Sequence, residues 1–201
     1  MHHSKSLTPL WRLLPLLVAV TVLTGCAGTF GEVKPLSTSG GGGPVTPTAR
    51  HVTSLLIGEI KITDARIAKP EAETFAFAVR RGIANWNLAH HGFNAVADLT
   101  ATTALSPGSV VLTATIHEVE KGNLALRMLV GMGAGQASIV GDFKFGDDAA
   151  NSLGGFTARR SYLGGAGAGG ADLLTTEELF VRLGEEVAES ADKWARGEKV
   201  Q

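Results

Sequence analysis

Residues 137–145 read Ala-Ser-Ile-Val-Gly-Asp-Phe-Lys-Phe. Ala137, Ile139, Gly141, Phe143 and Phe145 alternate with Ser138, Val140, Asp142 and Lys144. Successive side chains of a strand point to opposite faces, so this period of two predicts a strand with one buried face. Downstream, Asp147–Gly155 reads as a turn region, and Phe156, Ala158, Arg160 and Tyr162 form one face of a further strand. Upstream, Val110, Leu112, Ala114 and Ile116 alternate with Val111, Thr113, Thr115 and His117, after a turn at Ser106-Pro107-Gly108 and before a hydrophilic turn at Glu118–Asn123. These β-rich runs separated by turn residues predict neighbouring strands.

Two stretches carry helical spacing instead. Lys69, Pro70, Glu71 and Glu73 open the first, where proline fits the first turn and carboxylates complement the helix dipole. Phe75, Val79, Ile83 and Trp86 mark its buried stripe, and His90 and His91 close it before Gly92, expected as the left-handed cap. The second helix starts with capping-box spacing at Thr175 and Glu178 and buries Phe180, Leu183, Val187, Ala191 and Trp194. An earlier strand places Leu56, Ile60 and Ile62 opposite Glu59 and Lys61, and Phe93–Ala97 is a short strand candidate. The expected fold is α+β: a single domain, with two amphipathic helices packed on a mostly antiparallel sheet.

The N-terminus is of another kind. Lys5 and Arg12 precede an apolar block from Leu13 to Leu23, broken by Pro15 and Thr21. The block is shorter than the roughly 20 residues a spanning helix needs, which is the build of an export signal. It ends on Leu23-Thr24-Gly25-Cys26. This resembles the bacterial lipobox, which implies cleavage between Gly25 and Cys26 and a diacylglyceryl thioether on Cys26. Cys26 is the one cysteine in the chain, so it has no disulfide partner within it. Ala27, where enterobacterial sorting reads Asp as inner-membrane retention, implies an outer-membrane address. Residues 27–50, rich in Gly, Ser, Thr and Pro with a run at Gly40–Gly43, read as a flexible tether. The expected organisation is a signal peptide at 1–25, the lipidated Cys26 and tether at 26–50, and a periplasmic domain at 51–201.

Charge narrows the function. The 201 residues hold 18 Lys plus Arg against 19 Asp plus Glu. Removing Lys5 and Arg12 with the signal leaves 16 against 19, a net −3. That is no footprint for nucleic acid.

The most distinctive part of the exported chain is Arg127-Met128-Leu129-Val130-Gly131-Met132-Gly133-Ala134-Gly135. With the strand pair and terminal amphipathic helix after it, the chain resembles the bacterial lipoprotein family called domain of unknown function 4410 over roughly residues 51–197. It departs from that pattern after Phe145, where Asp147, Asp148 and Asn151 stand in place of an expected Asp and Thr-Gly turn. The family has no assigned catalytic residues, so the resemblance implies none here. Its fold implies kinship with small periplasmic domains of envelope-assembly lipoproteins.

Other constellations lack their context. A phosphate loop at Gly131, Gly133 and Gly135 would need a helix after it, and a strand follows. Gly165, Gly167 and Gly170 have dinucleotide spacing without the second parallel strand. His90 and His91 diverge on a helix, so with His117 they make a poor metal set. Asp98 and His117 have no nucleophile fixed beside them. Glu185 with Glu186 and Asp147 with Asp148 read as a solvated helix face and a turn. The expectation is a non-enzymatic module without metal or cofactor, held to the membrane through Cys26 and meeting an envelope protein at Gly131, Met132, Gly133 and Gly135. The alternative is a small-ligand-binding lipoprotein with a pocket near that glycine box.

Overall fold

The computed structural model describes residues 28–36, 52–100, 105–122, 136–147, 152–163, 175–198 and 200. In chain order these form β1 (Gly28–Pro35), β2 (Ser54–Ile62), α1 (Lys69–His90), β3 (Ala95–Asp98), β4 (Ser109–Glu120), β5 (Ala137–Gly146), β6 (Ser152–Leu163) and α2 (Thr176–Ala195). The six strands make one sheet in the order β1-β6-β5-β4-β2-β3. β2 runs parallel to β3 and β4, and the other three pairings are antiparallel. The sheet is therefore mixed. The parallel part follows from α1, which carries the chain back between β2 and β3 as a crossover helix must.

Both helices cover one face. Leu55, Ile57, Ile60, Val110, Leu112, Ile116, Ile139, Phe143, Phe145 and Phe156 meet Phe75, Val79, Ile83, Phe180, Leu183 and Val187 in a single core. α1 and α2 run in the same direction, since Phe75 stacks on Phe180 near their starts and Gly92 lies against Asp192 near their ends. Between them two glycines bring the backbones into contact. A Cβ on Gly82 would stand 2.0 Å from the Val181 carbonyl oxygen, and one on Gly184 would stand 2.2 Å from that of Val79. A mid-helix glycine costs about 1 kcal/mol relative to alanine, so each is there for this contact.

Several local features differ from the sequence reading. Leu56 does not share a face with Ile60. A bulge between Ile57 and Ile60 shifts the register, so Leu55, Ile57 and Ile60 face the helices and Leu56 the other side. The Arg80 guanidinium of α1 donates to the Gly58 carbonyl at 3.0 and 3.1 Å, satisfying the acceptor inside that bulge. β4 runs on to Glu120, into the stretch expected as a turn, through a second bulge between Ile116 and Glu118. β6 likewise begins at Ser152, inside the expected Asp147–Gly155 turn region. The left-handed residue that ends α1 is His91 (φ 53°), not Gly92. Gly92 serves close approach instead, as a Cβ there would meet the Trp86 ring at 2.7 Å. The Thr175–Glu178 capping box is formed in both directions, at 3.1 and 2.8 Å.

The largest difference is β1. Residues 28–36 fall in the stretch expected as a tether, yet Gly28–Pro35 pairs with β6 from Gly28↔Leu163 to Pro35↔Phe156. Val33 points into the core. Gly28–Pro35 thus belongs to the described fold, and the rest of the expected tether, residues 26, 27 and 37–50, lies outside the described residues.

The helix contact can be tested directly. Gly82→Ala and Gly184→Ala should each lower unfolding stability by about 1–3 kcal/mol, the range for overpacking. Because both press on one crossing, the double variant should lose less than the sum, read from urea midpoints.

Candidate functional site

Cys26, Gly25 and the glycine-box residues Gly131, Met132, Gly133 and Gly135 all lie outside the described residues. Their flanks are placed. Gly28 pairs with Leu163, next to Tyr162, which pairs with Ala137, and Glu120 pairs with Ser138. The start of β1 and both flanks of residues 123–135 therefore sit at one end of the sheet. The starts of α1 and α2 lie at that end too.

That end is rimmed by a charge network. Asp64, whose side chain is only 5% exposed, accepts the Val119 N–H at 2.8 Å and the Arg66 backbone N–H at 3.0 Å. The Arg66 guanidinium donates to both Asp64 oxygens at 2.9 and 2.7 Å and also to Glu120. Lys121 pairs with Glu71 at 2.7 Å. These bonds to its ionised form hold the Asp64 carboxyl well below the ordinary carboxylate range. The same pairing pushes Arg66 up. The chemistry here is structural: it pins the turn after β2 to the end of β4.

A second cluster lies under β1. Glu186 and Arg160 meet at 3.1 Å, with side chains 14% and 19% exposed. Gly31 covers them: a Cβ there would sit 2.1 Å from a Glu186 carboxylate oxygen. Burial pushes the Glu186 carboxyl up despite the pull of Arg160, and Glu189 adds to the rise. This corrects the reading of Glu185 and Glu186 as one solvated face. Glu185 pairs along the helix with Arg182, while Glu186 turns inward. The missed signal was Arg160 itself, a cation on the apolar face of β6.

The histidines do not converge. His90 Nδ1 donates to the Trp86 carbonyl at 2.9 Å and its ring stacks on Trp86, at the end of α1. His117 lies on β4, 4.0 Å from Asp142. Asp98 pairs instead with Arg80, so it and His117 belong to separate clusters. Among the described residues no group of three His, Cys, Asp or Glu could hold a metal ion. No helix among them is long and apolar enough to cross a membrane. An open groove of ≈ 910 Å³ lies where both helices end, lined by Trp86, His90, Gly92, Asp192 and Arg196 among others. Its charges are paired within it, Asp192 with Arg196 at 2.8 Å and Glu189 with Lys193 at 2.7 Å.

Residues 59–166, more than half of the chain, match the family described as a domain of unknown function, DUF4410. The chain belongs to that family. The match runs from within β2 to just past β6, so β1 and α2 lie outside the shared DUF4410 region. No curated protein matches the chain. Among solved structures it is similar to the PelC dodecamer from Paraburkholderia phytofirmans, with 12% identity and a TM-score of 0.46, covering 85% of this chain and 99% of that one. It is also similar to a neuraminyllactose-binding hemagglutinin homolog from Helicobacter pylori, with 7% identity and a TM-score of 0.36, covering 74% and 85%.

In this DUF4410 protein the Asp64 network sets an acid limit. Its folded-state pKa is depressed, so its stabilisation is present above the unfolded value near 4 and lost as pH falls towards the folded one. Asp64→Asn should unfold at lower urea than the parent at pH 7. The gap should narrow as pH drops below about 4. A gap of constant size would show that Asp64 acts by packing rather than by charge.

Proposed function

We propose that this chain is a lipid-anchored, non-enzymatic interaction module of the bacterial cell envelope, facing the periplasm from the outer membrane. The observation that carries this reading is a coincidence of position. The lipobox-like Leu23-Thr24-Gly25-Cys26 ends two residues before β1, and β1 starts at the end from which residues 123–135 leave the sheet. An anchor at Cys26 would hold the glycine box near the membrane plane, where an envelope partner is within reach. The apolar run Leu124–Val130, with Arg127 its one charge, supports contact with a partner at that end. Membrane attachment follows from the anchor itself, because several acyl chains hold stably where one holds weakly. The groove at the opposite end of the helices is the feature that favours the second reading, small-ligand binding, and it lies at the other end of the sheet from Glu120 and Ala137, the strand residues that flank the glycine-box segment.

Two measurements test the proposal. The exported wild-type chain should begin at Cys26 and carry the mass of a diacylglyceryl group. Cys26→Ser should move the protein from the membrane pellet to the soluble fraction. Crosslinking in intact cells followed by mass spectrometry should then find a recurrent protein partner, lost on Gly133→Leu while the urea midpoint is kept. A soluble wild-type protein that starts elsewhere removes the anchor. Loss of the fold in Gly133→Leu makes the box structural instead.

A further inference from the structure

The outer face of α1 carries a second stripe that the core does not use. Phe77 is 62% and Leu88 74% exposed, and half-buried Ala84 lies between them in the series i, i+7, i+11. Such spacing stacks the three on one side of a helix. That side points away from the sheet, since Phe75, Val79, Ile83 and Trp86 occupy the buried one. Single exposed apolar residues are ordinary. Two large ones in line, with a small one between them, form a seam for another helix. The one charge beside the seam, Arg81, is already neutralised by Glu177 of α2 at 2.9 Å.

The ends of the stripe define what fits it. Glu73 stands four residues before Phe77, and His91 three residues after Leu88. Both are exposed, and neither has an ion-pair partner among the described residues. An acid at one end and a base at the other make the stripe complementary to its own reversed copy. We propose that this face of α1 is the interface for a second copy of the chain, packed antiparallel about a two-fold axis level with Gly82 and Ile83. Phe77 then meets the partner's Leu88, Arg81 lies over the partner's Ala84, and Glu73 meets the partner's His91. Each contact is made twice, as a two-fold requires. A parallel pairing would set Glu73 against Glu73 and His91 against His91. Opposite charges across an interface fix its register, and like charges disfavour the alternative. One helix per copy is a small interface, so monomer and dimer should exchange at roughly micromolar concentration.

This interface does not depend on the membrane anchor or on the glycine box. The full chain is purified in a density-matched detergent, and its mass is followed by sedimentation equilibrium over a range of concentrations. The parent should pass from monomer to dimer. Phe77→Glu, at an exposed position, should weaken association about tenfold or more while the urea midpoint is kept. Glu73→Lys alone and His91→Asp alone should each weaken it severalfold, Asp being chosen because it tolerates the left-handed φ of 53° at that position. The double variant should recover the parent's affinity. Within one chain the two positions are separated by about 27 Å along the helix axis, so recovery can come only from contact between copies. A parent that stays monomeric throughout overturns the interface, as does a dimer that Phe77→Glu leaves intact. A double variant no tighter than either single one overturns the antiparallel register.

Discussion

The fold depends on the place where Gly82 meets Gly184. Two parallel helices must lie side by side on one face of a twisted sheet, and the sheet gives them limited width. Their apolar stripes, Phe75 to Trp86 on α1 and Leu179 to Ala191 on α2, reach the sheet together only if the helix backbones touch. The carbonyls of Val79 and Val181 stand where Cβ atoms of other residues would be. Two intrinsically poor helix residues are offset by the core they allow to close. That contact sets how Phe180 reaches Phe75 and how Trp194 reaches Phe145, with ring centres 4.3 Å apart in both pairs.

Much of this was legible in the sequence, for a physical reason. Periodicity reports which face is wet, and it is clean in both helices and around Phe143–Phe145, while β5 is buried on both faces over residues 137–141. The strands around Val110–Ile116, Ala137–Phe145 and Phe156–Tyr162, both helices and the Thr175 cap were recoverable from that alone. The misreadings fall where periodicity breaks. A bulge adds one residue without a compositional mark, so Leu56 was placed on the face of Ile60. His91 takes a left-handed conformation while Gly92 beside it is held against Trp86, the reverse of what cap statistics suggest. Gly82 and Gly184 were readable in principle, as costly residues inside strong helices that ask for a packing reason. Of the site residues, Cys26 and the glycine box were legible as motifs, while their geometry belongs to residues outside those described.

β1 shows a limit of compositional reasoning. Residues 27–50 are poor in large apolar groups, and a segment of that kind is expected to stay unpaired. Yet an edge strand needs little of its own. β6 offers a row of backbone donors and acceptors, the alternation of Glu32, Val33 and Lys34 supplies one inward side chain, and Gly31 fits a space closed by Glu186. The ladder came from the partner rather than from the segment, and a reading of the segment in isolation had no access to it.

The two ends of the domain then differ in kind. At one end the helices begin, Asp64 ties Arg66 to β4, and the chain enters from Gly28. At the other end the helices finish, with the negative ends of both dipoles over the Trp86–His90 stack and with Lys193 and Arg196 balancing them. Parallel helices make this polarity unavoidable, because an antiparallel pair would place one start and one finish at each end. The glycine crossing that lets the helices lie in parallel therefore also makes the domain directional. The groove at the helix ends and the start of β1 at Gly28 accordingly lie at opposite ends of the domain, each with its own charge pattern.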